Sequence, residues 1–194
     1  MFETVYFGLY TTSVWEILLG ILLIFTSILL SYLYQNEKKA NNPEYKYYSY
    51  GLSLKLFGGV VFFLIYGYYY KGGDTSSYFQ STMSYAELFY TNPFEFLKVY
   101  FSAPTEEMTS LFFSTTGKPP LHYVVFDSKT LFVAKFFVPF AIITYNSYLL
   151  TTILASFFSF FMVWQLYKTF CKLTQNQFIS FLVCFCIPSA LMWA

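Results

Sequence analysis

The stretch "YYYKGGDTSSYFQ", residues 68–80, sets Lys71, Gly72, Gly73 and Asp74 directly behind three tyrosines that close an apolar run. A carboxylate held on that glycine hinge has two uses. As a cap, Asp74 or Thr75 accepts a hydrogen bond from a free backbone N–H and opens a helix through "SSYFQSTMSYAELF". As a chemical group, Asp74 deprotonates or orients an acceptor hydroxyl, or coordinates a divalent cation. The two uses ask for the same backbone.

Other candidates follow within about fifty residues. Glu106 and Glu107, in "SAPTEEMTS", are either a second carboxylate for the same chemistry or a solvated acidic pair. His122, in "PPLHYVVFD", is either a phosphate or sugar contact or a loop histidine with a local hydrogen bond. Lys118 and Lys129 are the cations within reach of a donor phosphate, if they are not plain surface lysines. No phosphate-binding glycine loop, HExxH or GxSxG accompanies them. Cys171, Cys184 and Cys186 lack metal-site spacing and read as small apolar filler.

The elements that position these groups are set by the solvent. Hydrophobic residues make up 57% of the 194 and charged residues only 11%, against roughly 25% charged in soluble domains. The net charge of +1, with every cation a lysine, offers no basic patch for nucleic acid. A helix needs roughly 20 apolar residues to cross about 30 Å of hydrocarbon. Segments 14–34, 50–70 and 147–167 meet that length, and 178–194 is a shorter fourth candidate. Trp15, Tyr32 and Tyr34 stand where interfacial anchors belong, and Lys55 is placed to snorkel out of the second span. The first run is too long, and its leader too poor in lysine, for a cleavable signal.

Residues 71–146 form the long loop between the second and third spans. "SYAELFY" and "PFEFLKVYF" carry apolar residues at helical spacing with charges between, the pattern of short helices lying at an interface. Residues 131–144 hold Lys135 and Pro139 and read as a membrane-surface or re-entrant helix. That choice keeps Lys38, Lys39, Lys46, Lys168 and Lys172 on the cytoplasmic side, as the positive-inside rule prefers, and places the loop outside. The expected fold is therefore all-α: a polytopic transmembrane helical protein with interfacial helices in a long outer loop. The terminal apolar run fits either a short last span or the N-terminal part of a larger protein.

A span ending in aromatics, then "GGDTSSYF", then interfacial helices and a further span, resembles the N-terminal part of GT-C glycosyltransferases over residues 50–194. "IPSALMW" at 187–193 is similar to a Pro-Ser…Trp stretch of such envelope-polysaccharide proteins. The resemblance implies an acidic residue in the first outer loop as catalytic base or metal-linked acceptor site, and Asp74 matches it by position. It implies a polyprenyl-phosphate-linked sugar donor, an envelope glycan or glycolipid acceptor, and a multi-pass place in a bacterial inner membrane. The extra span at 14–34 departs from the pattern, and Glu106 and Glu107 are not fixed by it. A polysaccharide polymerase or flippase-like protein, and a non-enzymatic subunit with a membrane-protein partner, stay open beside it.

Overall fold

The computed structural model describes residues 4–7, 10–70 and 73–186. Two short strands, β1 (Thr4–Phe7) and β2 (Tyr10–Ser13), pair ahead of the first helix. They are the only described strands and too short to register as a sequence pattern. The other regular elements among the described residues are helical. Among the described residues, three helices are long and apolar enough to cross a membrane: α1 (Val14–Lys38), the continuous Pro43–Tyr69 helix containing α2 (Tyr48–Leu64), and α8 (Tyr148–Thr174). The expected fourth span begins as α9 (Gln177–Phe181) and continues to Cys186, while 187–194 lies outside the described residues.

The chain divides into two compact units. Unit 1 comprises Met1–Val5, Thr12–Ile65 and Thr152–Ala194; unit 2 comprises Tyr6–Thr11 and Tyr66–Thr151.

In unit 1, α1 starts on a capping sequence, "SVWE", whose Ser13 hydroxyl accepts from Glu16 N at 3.2 Å, and ends with Lys38 against the helix dipole. Its leucines and isoleucines face outward, as they would toward lipid; among its buried residues is Gln35. The Gln35 Oε1 accepts from both Ser49 N (2.9 Å) and Ser49 Oγ (2.7 Å), satisfying a backbone donor in the first turn of α2. Along α2, a Cβ at Gly59 would lie 2.0 Å from Ser156 Oγ, so glycine is what lets α2 and α8 approach. Tyr48 packs edge to face against both Phe160 and Trp164 beside them. Lys55 is only 2% exposed. The expectation that it snorkels outward is corrected: it shares a helix face with Leu52 and Gly59, both on the packed side.

Unit 2 is built on α3 (Asp74–Thr91), α4 (Pro93–Phe101), α5 (Glu106–Thr115), α6 (His122–Phe126) and α7 (Ser128–Ile143). Helices α3 and α7 run side by side in the same direction. The Thr82 hydroxyl lies 2.9 Å from Ala134 O, and Tyr90 OH donates to Ile142 O at 2.6 Å, each pair 52 residues apart. At 16 residues, α7 is about 24 Å long, and it is not among the helices long enough to cross.

Pro139 lies inside α7 and has no N–H to give to the carbonyl of Lys135, four residues earlier. That carbonyl is satisfied instead by Tyr100 OH of α4, at 3.1 Å. In return, the Lys135 ammonium donates to Ser102 O (3.0 Å) and Val99 O (3.4 Å), two carbonyls that the end of α4 leaves without helical partners. The same ammonium stands over the rings of Tyr85 and Tyr100. Burial holds the Lys135 amine below its ordinary value. Between them, α4 and α7 exchange one carbonyl and one cation.

Candidate functional site

Asp74 is the first helical residue of α3, and it is exposed. The expected cap is corrected. The N-cap is Gly73, at φ +115°, a conformation L side chains rarely adopt, and no side chain caps the helix. Ser77 N and Ser77 Oγ both lie 3.2 Å from Gly73 O, so the first turn closes on backbone. Relieved of capping, the Asp74 carboxylate accepts no hydrogen bond among the described residues and sits in the first turn, where the helix dipole favours an anion.

One turn along the same face stands Tyr78. Its phenol is pushed above the ordinary tyrosine value, first by burial and then by the charges of Asp74, Tyr123 and Asp127. Two carboxylates from different elements therefore act on one phenol. Asp127 comes from the junction of α6 and α7, where its Oδ2 caps α7 by accepting from Thr130 N at 3.2 Å. Leu121 N donates to the buried Ser81 Oγ at 3.1 Å, which pins the start of α6 to α3 and brings Tyr123 and Asp127 to the Asp74 end. The second acid acting on Tyr78 is thus Asp127. The sequence carries a signal for it: "DSKT" ahead of an apolar run is an N-cap pattern, and Tyr78 is four residues from Asp74.

The remaining candidates have local roles. Glu106 and Glu107 occupy the first turn of α5 behind the Thr105 cap, where acids suit the helix dipole. Lys118 is paired with Glu87 of α3 at 3.0 Å. Lys129 is exposed and makes no ion pair among the described residues. His122 opens α6, exposed, with its ring 4.5 Å from that of Phe126. Cys171, Cys184 and Cys186 are free thiols, of which Cys184 is buried and Cys186 exposed.

A calcium-type site takes six to eight oxygen ligands, several of them carboxylates. Among the described residues no three of His, Cys, Asp and Glu come together to hold an ion. Asp74 and Asp127 supply two acids, one already committed to a cap, so the donor set among the described residues does not fit a protein-held cation. What the arrangement can do is accept a proton at Asp74 and present a phenol beside it. Compared with protein-family models, curated proteins and solved structures, the chain matches none.

Proposed function

We propose that the chain is a multi-pass, glycosyltransferase-like protein of a bacterial inner membrane. In this reading it transfers a sugar from a polyprenyl-phosphate donor to an envelope glycan or glycolipid on the outer face. The observation that carries the reading is the exposed, uncapped carboxylate of Asp74, five residues beyond an apolar helix long enough to span. Asp74 takes the proton of the acceptor hydroxyl as its oxygen bonds to the anomeric carbon. The sugar–phosphate bond breaks with its electron pair going to the leaving polyprenyl phosphate. Tyr78 orients the acceptor from the same helix face, with Asp127 behind it.

Asp74→Asn, assayed for membrane insertion and for glycan output, tests it. Normal insertion with glycan transfer reduced by about a hundredfold or more is expected of a general base. Unchanged glycans in a normally inserted variant overturn it.

A second reading, a non-enzymatic subunit of an envelope complex, is favoured by the structural employment of Glu106, Glu107 and Lys118. It expects co-purification with a fixed partner and indifference to joint loss of Asp74, Glu106 and Glu107.

A further inference from the structure

We infer that unit 2 lies flat on the bilayer surface and dips one apolar face, carried by α4 and α7, into the boundary between lipid headgroups and acyl chains. This does not depend on any activity of Asp74.

The face comes first. On α4, Phe94, Leu97 and Phe101 recur at helical spacing and point outward, Phe101 at 80% exposure, while Phe96 and Val99 are buried. On α7, Phe132, Phe136 and Ile143 do the same, Phe132 at 70%, while Ala134 and Val138 are buried. The Tyr100–Lys135 exchange joins the two rows, because Lys135 stands between Phe132 and Phe136 and reaches the carbonyls around Phe101. Six large apolar side chains bare to water forgo the free energy that burial would supply, and patches of this kind mark membrane or protein contacts.

The charges are arranged to suit lipid. Between 130 and 146 the only charged residue is Lys135, and its ammonium is held by backbone carbonyls. On α4, Glu95 and Lys98 pair with each other at 2.8 Å. The exposed acids Asp74, Glu106 and Glu107 lie on other elements, and Asp127 stands at the N-cap of α7, ahead of its apolar row.

Geometry then orients the unit. It contains its own ends of two candidate spans, Tyr66–Tyr69 and Tyr148–Thr151, and a loop between consecutive spans has both ends at one membrane surface. Helix α3 is 18 residues, about 27 Å. It begins five residues after Tyr69; further along, Phe79 meets Tyr148 at 4.8 Å, and near its end Tyr90 stacks on Tyr145 at 5.8 Å and 7°. A helix of that length standing upright would carry Tyr90 well away from the surface, whereas its ring contacts keep it beside the start of a span. So α3 lies along the interface, and α7, parallel to it and too short to cross about 30 Å of hydrocarbon, lies there too. Among the two forms expected for 131–144, this selects the membrane-surface helix.

The test uses the full chain in lipid nanodiscs of phosphatidylethanolamine and phosphatidylglycerol. In a background carrying Cys171→Ser, Cys184→Ala and Cys186→Ser, single nitroxide labels go at Phe101→Cys, Phe132→Cys, Phe136→Cys, Glu106→Cys and Lys129→Cys. Collision rates are then measured with oxygen, which concentrates in lipid, and with a water-soluble nickel chelate. The expected result is an oxygen-to-nickel ratio several-fold higher at the three phenylalanine positions than at the other two. Equal ratios would place the face in water and overturn the inference. Low collision with both agents would mean that protein covers the face, which overturns lipid as the occupant. Leu97→Cys and Ile143→Cys serve if a label at Phe101 or Phe132 prevents assembly.

Discussion

The two units are held together by different chemistry. Unit 1 relies on close approach and rings: glycine at 59 against Ser156, and Tyr48 edge to face on Phe160 and Trp164. Its polar links include Gln35 serving Ser49 and the Tyr167 hydroxyl donating to Glu44 O. Unit 2 is tied by groups that reach across from one helix to a backbone oxygen of another: Thr82, Tyr90, Tyr100 and Lys135. Among apolar helices in lipid there is little hydrophobic drive for association, so fit and small residues decide it. A unit lying at the interface, as inferred for unit 2, can use hydroxyls and an ammonium, because water there solvates the donors and acceptors that these bonds do not reach. The contrast teaches that volume should govern mutational sensitivity in one unit and hydrogen-bond satisfaction in the other.

The largest expected break is Gly59→Ala. The added Cβ has no room beside Ser156 Oγ, and overpacking of this kind costs about 1–3 kcal/mol. Thermal melts of the purified protein should show the loss, with partial recovery in Gly59→Ala/Ser156→Ala. Adding the same methyl at Gly117, where nothing lies within 4 Å, costs only the strain of its φ of +69°.

Tyr100→Phe should come next, at about 1–2 kcal/mol, for leaving the Lys135 carbonyl unpaired. Pro139→Ala restores a helical N–H to that carbonyl. The double variant should therefore lose less than the single, and additive losses in a double-mutant cycle would show the Tyr100 bond to be incidental.

A pH series separates the units further. In unit 2, burial raises the phenols of Tyr85, Tyr90 and Tyr100 above the ordinary tyrosine value. Their contribution is fully present below the unfolded value of about 10 and is lost as pH rises through the folded values. Lys135 acts in the opposite sense. Its folded value lies below the unfolded one of about 10.5, so the unfolded chain binds more protons between the two and stability rises with pH across that window. Melting temperature should fall above about pH 10 as the phenols prevail. In Tyr85→Phe the fall should be shallower, with little cost at neutral pH, because the Tyr85 hydroxyl is buried with no hydrogen-bond partner among the described residues. An unchanged slope would show that the Tyr85 phenol does not set the alkaline limit.

The smallest effect belongs to Lys118→Ala. Its pair with Glu87 has an exposed lysine end, worth about 0–1 kcal/mol and diminished by salt. A loss larger than that, and insensitive to salt, would mean Lys118 does more than tie a loop to α3.

Much of the helical frame is legible in the sequence. Expected spans at 14–34, 50–70 and 147–167 correspond to Val14–Lys38, Pro43–Tyr69 and Tyr148–Thr174, and expected 131–144 to Ser128–Ile143. The site is less so. Asp74 stands out in the sequence, but capping preferences point to the acid itself or to Thr75, and they do not disclose that Gly73 turns to a positive φ and takes the cap position.

By itself the sequence determined which segments are helical and apolar enough to span, since transfer from water sums over neighbouring residues and needs no knowledge of a partner. Only the tertiary structure decided that Asp127 rather than Glu106 joins Asp74 in acting on Tyr78, that Glu87 occupies Lys118, and that Tyr100 answers the carbonyl freed by Pro139. Those pairings span 31 to 53 residues of chain, and a hydrogen bond or ion pair acts only over a few ångströms and in one direction. No local pattern carries that information until the helices are packed.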